Sequence, residues 1–168
     1  MKKKQFMPEL KKLAFIFFAL FILKSCSDPC EELICLNGGA CQDGLCLCPD
    51  FYSGPNCEIE ERLNFLGTYT GTTIYYDSMG DTNLYADSKV ITSSAQGAAY
   101  IKIDADVFAS LNTPGSGEFN IPSQTPSNAL LSNFYFSGSG DFKGDTITYQ
   151  ITAENNNEIV TMSFTGTK

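Results

Sequence analysis

The chain has 168 residues, 43% of them hydrophobic, with no His, no Trp and a formal net charge of −8. That length accommodates one ordinary domain and a small companion. From Cys26 onward five basic residues stand against eighteen acidic ones, a net of −13, and so acidic a surface repels phosphate backbones and excludes nucleic acid as a partner.

Residues 1–25 read as a targeting segment. Lys2, Lys3, Lys4, Lys11 and Lys12 form a basic start, and Leu13 to Leu23 is an unbroken run of eleven apolar residues. A membrane span needs about 17–25 such residues, so the run fits a signal-peptide core instead. Leu23-Lys24-Ser25-Cys26 closes it. A long apolar residue, a small residue and then Cys resembles the lipobox of bacterial lipoproteins, although Lys24 departs from the small or apolar residue usual there. The resemblance implies cleavage before Cys26 and acylation of that residue, with residues 26–29 as a lipidated linker. It also implies a membrane-anchored protein of the outer membrane or cell surface, because Ser27 and not an acid follows the Cys. Cysteine arithmetic agrees. The chain has seven Cys, six of them between Cys30 and Cys57, and an odd Cys in an exported chain requires its own explanation. Each acyl CH₂ buried in lipid contributes about 0.8 kcal/mol, and one chain alone holds only marginally.

Residues 30–57 are too short to bury a core that offsets their chain entropy, and an exported chain meets an oxidising compartment, so disulfides are expected. Spacing alone leaves all pairings of Cys30, Cys35, Cys41, Cys46, Cys48 and Cys57 open. Cys46-Leu47-Cys48, five residues, Gly54, two residues and Cys57 resemble the EGF-like signature, as does Asn37-Gly38-Gly39 before Cys41. That family implies the pairs Cys30–Cys41, Cys35–Cys46 and Cys48–Cys57. Phe51-Tyr52 is expected to pack as a small plug against them. Zinc is disfavoured by the absent His and the Cys-x-Cys spacing. Calcium-binding modules of the family carry oxygen ligands just before the first Cys. Pro29 stands there, with only Asp28 and Asp43 suggestive, so no metal and no cofactor are expected.

Residues 58–64 form a charged joint with room for one helical turn. From residue 65 the composition turns to Thr, Ser, Gly, Tyr, Phe and Ile, punctuated by turn formers. Strands are predicted at Phe65–Ile74, Val90–Ser93, Ala98–Asp104 and Glu118–Ile121, with Ala99, Ile101 and Ile103 facing inward. Asp104 to Val107 and Leu111 to Pro114 read as irregular, and Pro122 and Pro126 mark a loop. Period-two alternation then predicts a meander. Phe134 and Phe136 lie on its first strand, Ile147, Tyr149 and Ile151 on its second, and Val160, Met162 and Phe164 on its third. Lys143-Gly144-Asp145 and Asn155-Asn156-Asn157 supply the turns. The fold class is therefore mainly β: a small disulfide-rich EGF-like module followed, over residues 65–168, by an antiparallel β-barrel or β-sandwich. Phe65-Leu66-Gly67-Thr68-Tyr69 resembles the first strand of lipocalin-like domains, which implies a barrel with a ligand pocket.

Without His, the Ser-His-Asp and Cys-His arrangements are unavailable. Asp104 with Asp106, or Asp77 with Asp81, could form a glycosidase pair, but both lie in turn-like polar stretches where solvated acids are ordinary. The protein is accordingly read as no enzyme. Tyr75, Tyr76 and Tyr85 near a Gly-containing loop form the candidate binding surface, since Tyr combines apolar area with a hydroxyl at low entropic cost. The alternative is that they alternate into the core. Three functions fit. The first is a lipid-anchored, non-enzymatic binding or adhesion module for a protein or glycan, the second a lipocalin-like carrier of a small apolar ligand, and the third a structural envelope component.

Overall fold

The computed structural model describes residues 28–76, 79–104, 106–125 and 133–168. The targeting run, the lipobox and Cys26 lie outside the described residues, as does Asp77. Among the described residues no helix is long and apolar enough to cross a membrane.

The amino-terminal module is held by Cys30–Cys41, Cys35–Cys46 and Cys48–Cys57, the pairs that the family resemblance implies. By the chain-entropy model a bridge closing a loop of this size contributes roughly 3 kcal/mol. Two small ribbons complete it. β1 (Ala40–Gln42) pairs with β2 (Leu45–Leu47), and β3 (Tyr52–Ser53) with β4 (Ile59–Glu60). A single 3₁₀ turn, Glu61–Asn64, follows.

The rest is a closed antiparallel barrel, which decides between barrel and sandwich. Its strands are β5 (Gly67–Tyr76), β6 (Thr82–Ser93), β7 (Tyr100–Ile103), β8 (Val107–Leu111), β9 (Glu118–Gln124), β10 (Tyr135–Lys143), β11 (Thr146–Glu154) and β12 (Ile159–Thr167). Each pairs with the next, and β12 closes on β5. Closure removes the exposed edges that such Thr- and aromatic-rich strands would otherwise offer to other chains. The meander and both its turns stand where the alternation places them, with Gly144 at a positive φ in the β10–β11 turn. Two inward glycines let the wall curve. A Cβ on Gly71 would lie 2.0 Å from the Thr165 carbonyl oxygen, and one on Gly140 2.5 Å from the Phe119 ring.

Three strands differ from expectation. β9 runs through Pro122, which reads as a loop marker, and ends at Gln124. β6 begins at Thr82 rather than near Val90. Cross-strand pairing places Asp87 opposite Gly71 and Lys89 opposite Tyr69, so its inward positions are charged and carry no apolar alternation. β8 occupies a stretch whose ends read as irregular in the sequence. Val107, Ala109 and Leu111 face inward, while Phe108 faces out beneath the Lys102 ammonium, 4.8 Å from the ring centroid.

Register makes the barrel lopsided. β5 and β6 pair over ten positions, from Gly67–Ile91 to Tyr76–Thr82, whereas β6 and β7 pair only from Ile91 to Ser93. β8 and β9 pair only at Ser110–Asn120 and Leu111–Phe119. Side chains complete the low wall. Asp104 receives the Val90 N–H on Oδ1 at 2.9 Å and returns its own N–H to the Val90 carbonyl at 2.7 Å. The Gln124 amide mimics a strand residue, donating from Nε2 to the Phe108 carbonyl at 2.7 Å and accepting the Phe108 N–H at 2.9 Å.

One end of the barrel is filled. Tyr69, Ile91, Ile101, Phe119, Ile147 and Phe164 are all fully buried there, and burial of each such side chain contributes about 1.5–3 kcal/mol. Phe65 stacks on Phe142 at 4.5 Å across the bottom. The disulfide module docks on this end. Phe51, expected to plug the disulfides, packs against the barrel core, because its carbonyl accepts the Glu61 N–H at 2.9 Å and draws the turn inward. Arg62 Nη1 donates to the carbonyls of Ser94, Gly97 and Tyr100 at 2.5, 2.6 and 3.0 Å, and Nε pairs with Glu60 at 2.6 Å. The Glu61 carboxylate accepts the Gly115 N–H.

Candidate functional site

The other end is open. Above the filled layers the inward residues of the tall wall enclose an apolar cavity of about 310 Å³, lined by Tyr75, Phe134, Phe136, Ile151, Ala153, Val160 and Met162. Register brings them together from four elements. Ile151 faces Met162, Ala153 faces Val160, Phe136 faces Ala153, and Tyr75 faces Met162 across the closing pair. The cavity is within the size range of small-molecule sites, which are mostly apolar with few polar groups.

Tyr75 and Tyr85 meet edge to face, centroids 5.7 Å apart at 75°. With Asn83 they line a solvent-open extension of the mouth. Tyr76 belongs to the opposite face of β5 by strand alternation and is exposed. The structure thus brings two of the three singled-out tyrosines together at the rim and leaves the third outside. The cavity's other residues carried a readable signal, since Phe136, Ile151, Val160 and Met162 all sit on inward phases of the alternation. Their convergence depends on inter-strand register, which alternation does not specify.

Below the cavity the wall turns polar. Thr73, fully buried, donates to Asp87 Oδ2 at 2.7 Å, and Lys89 Nζ lies 3.0 Å from Asp87 and 3.3 Å from Asp104. Asp104 therefore pairs with Lys89 and the β6 backbone. Partial burial alone would raise the Asp87 carboxyl. Hydrogen bonds from Thr73, Lys89 and the Ser88 N–H, with the Lys89 charge, outweigh it and hold Asp87 below the ordinary carboxylate range. Burial likewise opposes the Lys89 ammonium, but Asp87 and Asp104 hold it above the ordinary lysine range. Tyr149, buried between this cluster and Ile151, is pushed far up, by burial first and then by the charges of Asp104 and Asp87 and by Tyr75, so its hydroxyl stays protonated.

The signs define a pH window. Asp87, depressed in the fold, stabilises it above the unfolded carboxylate value of about 4, and this contribution is lost as pH falls through the folded value. Lys89, raised in the fold, stabilises it below the unfolded value of about 10.4 and ceases to do so as pH rises through the folded value. Asp87→Asn is expected to cost about 1 kcal/mol at neutral pH and to flatten the acid limb of stability against pH. Urea midpoints measured from acid to neutral pH check this, and an unchanged acid limb would contradict it.

A larger polar depression of about 720 Å³ lies at the β11–β12 turn, lined by Asn133, Tyr135, Glu154 and Asn155 to Asn157. The Asn155 side chain there is spent on its own turn, accepting the N–H groups of Asn157 and Glu158 at 2.8 Å. With little apolar surface to remove from water, this depression offers a ligand less than the mouth does. Among the described residues no group of three His, Cys, Asp or Glu is placed to hold a metal ion. No protein-family model matches the chain, and a search of solved structures returns no significant match.

Proposed function

We propose that this protein is a non-enzymatic, lipid-anchored binding protein of the cell envelope, in which an EGF-like spacer carries a lipocalin-like barrel whose mouth takes a small apolar ligand. The observation that carries the reading is the half-filled barrel: one end is packed solid, while the other keeps an apolar cavity of about 310 Å³. An apolar surface held open in this way is stabilised by a ligand that removes it from water. The eight-stranded closure and the inward alternation support the lipocalin-like comparison, as does the Gly67-Thr68-Tyr69 start. The six paired cysteines support the EGF-like one.

Orientation adds to it. The disulfide module docks on the filled end through Phe51 and Arg62. An acylated Cys26, four residues before Cys30, would hold that end toward the membrane and present the mouth away from it. Such a protein receives its ligand from the aqueous side, or hands it across the envelope, rather than lifting it from its own anchoring leaflet.

Nile red, a neutral polarity-sensitive dye, is expected to bind the wild-type chain once and saturably. Ala153→Phe, which places a ring opposite Val160 and Phe136, should abolish binding while leaving the melting temperature within about 2 °C. Undiminished binding in that variant would place the ligand elsewhere. Fractionation beside Cys26→Ala, with intact mass, tests the anchor: wild type should partition with membranes and carry acyl mass, and the variant should do neither.

A further inference from the structure

We propose that the mouth selects its ligand by charge, taking neutral or cationic amphiphiles and rejecting anionic ones such as fatty-acid carboxylates. The proposal rests on the apolar-cavity reading above and specifies the ligand class of that same site.

Three observations carry it. First, the polar cluster is adjacent to the cavity. Thr73, which hydrogen-bonds Asp87, precedes the cavity residue Tyr75 by two positions on the same face of β5, a step of about 7 Å along a strand. Second, the cluster is not neutral. Two carboxylates, Asp87 and Asp104, share one ammonium, Lys89, so a net negative charge remains in the wall below the mouth. Lys89 is well buried and committed to both acids, while Asp104 is the most exposed of the three side chains. A carboxylate entering beside them therefore meets repulsion, with Lys89, the one cation of the cluster among the described residues, already held by both acids. The same acids lie toward the cavity floor: Tyr149, next inward from Ile151 on β11, is pushed up by burial first and then by the charges of Asp104 and Asp87. Third, the rim suits a cation. The edge-to-face Tyr75 and Tyr85 rings, with the Asn83 amide, flank the opening, and an ammonium over such rings is attracted by their quadrupoles. The excess acidity of the whole exported chain acts in the same direction at long range.

The chain supplies its own reporter. Of its four methionines, Met1, Met7, Met79 and Met162, Met162 lines the cavity. The purified full chain, labelled with ¹³C at the methionine methyl groups, is titrated at neutral pH with octanol, octylammonium and octanoate, three ligands with the same tail. Octanol and octylammonium are expected to shift the Met162 methyl resonance saturably, with octanoate about tenfold weaker than octanol. In Asp104→Asn the octanoate penalty should shrink about threefold. The wild-type ratio decides by itself if that variant fails to fold. Octanoate binding as tightly as octanol would overturn the charge selection and leave the apolar cavity standing. If none of the three moves the Met162 signal, the cavity reading fails and the selection with it.

Discussion

Phe119→Ala is expected to destabilise the barrel by about 3–5 kcal/mol, the largest loss from any single core truncation in this chain. Phe119 is fully buried and joins the two halves of the filled end, with its ring centroid 5.2 Å from Phe142 and 6.4 Å from Tyr149. It also lies over Gly140, where a Cβ would come within 2.5 Å of the ring, of the Thr148 carbonyl and of the Tyr149 Cβ. β8 and β9 pair at only two positions, one of them Leu111–Phe119, so backbone hydrogen bonds cannot hold this side of the wall once the ring is gone. Equilibrium unfolding in urea checks the prediction. A loss below about 1 kcal/mol would mean that the neighbouring rings collapse into the space. Gly140→Ala should be costly too, and less than additive with Phe119→Ala, because the smaller residue makes room for the new methyl.

Arg62→Ala is expected to cost on the order of 3 kcal/mol and to loosen the disulfide module from the barrel. One guanidinium nitrogen serves three carbonyls in the β6–β7 connection, around a buried Ser94. Truncation takes the charged donor from all three: the Gly97 and Tyr100 carbonyls keep the N–H groups of Tyr100 and Ser94, whereas the Ser94 carbonyl loses this partner in a buried place, and the cost of an unmade buried bond exceeds the value of a typical made one. It also leaves Glu60 without its partner at 2.6 Å. Arg62→Lys should recover only part of the loss, since an ammonium cannot reproduce the planar fork that faces Glu60 on one edge and the carbonyls on the other. Urea unfolding gives the stability, and limited proteolysis within residues 94–100 gives the local effect. Protection of that connection equal to wild type in Arg62→Ala would show that Phe51 and Glu61 suffice to hold the joint.

Much of this architecture is written in local pattern. The Cys spacing and Gly54 indicate the small module. The alternation through Ile147-Tyr149-Ile151 and Val160-Met162-Phe164 marks both inward faces and strand limits. What escapes is whatever depends on partners distant in sequence. The upper half of β6 has Asp87 and Lys89 inside because Thr73 and Asp104 are there to receive them, and nothing within residues 82–89 reveals that. β8 is short, and its outward Phe108 blurs the period. Arg62 reads as one charge in a charged joint, although it is the clamp of the filled end. The candidate site was half legible. Tyr75 and Tyr85 stand out by type, but Tyr76 is their equal in sequence and is separated from them only by the pleat. The cavity itself exists because the β12–β5 register places Met162 beside Tyr75.

A binding function requires the open end to be a place for another molecule and not an imperfection of packing. Native mass spectrometry of the chain taken from the organism that makes it, released from membranes under gentle conditions, tests that most directly. Wild-type protein should carry a single neutral or cationic apolar adduct beyond its own covalent mass, and Ala153→Phe should carry none. Wild-type and variant spectra that show the same bare chain, or the same adduct, would contradict it.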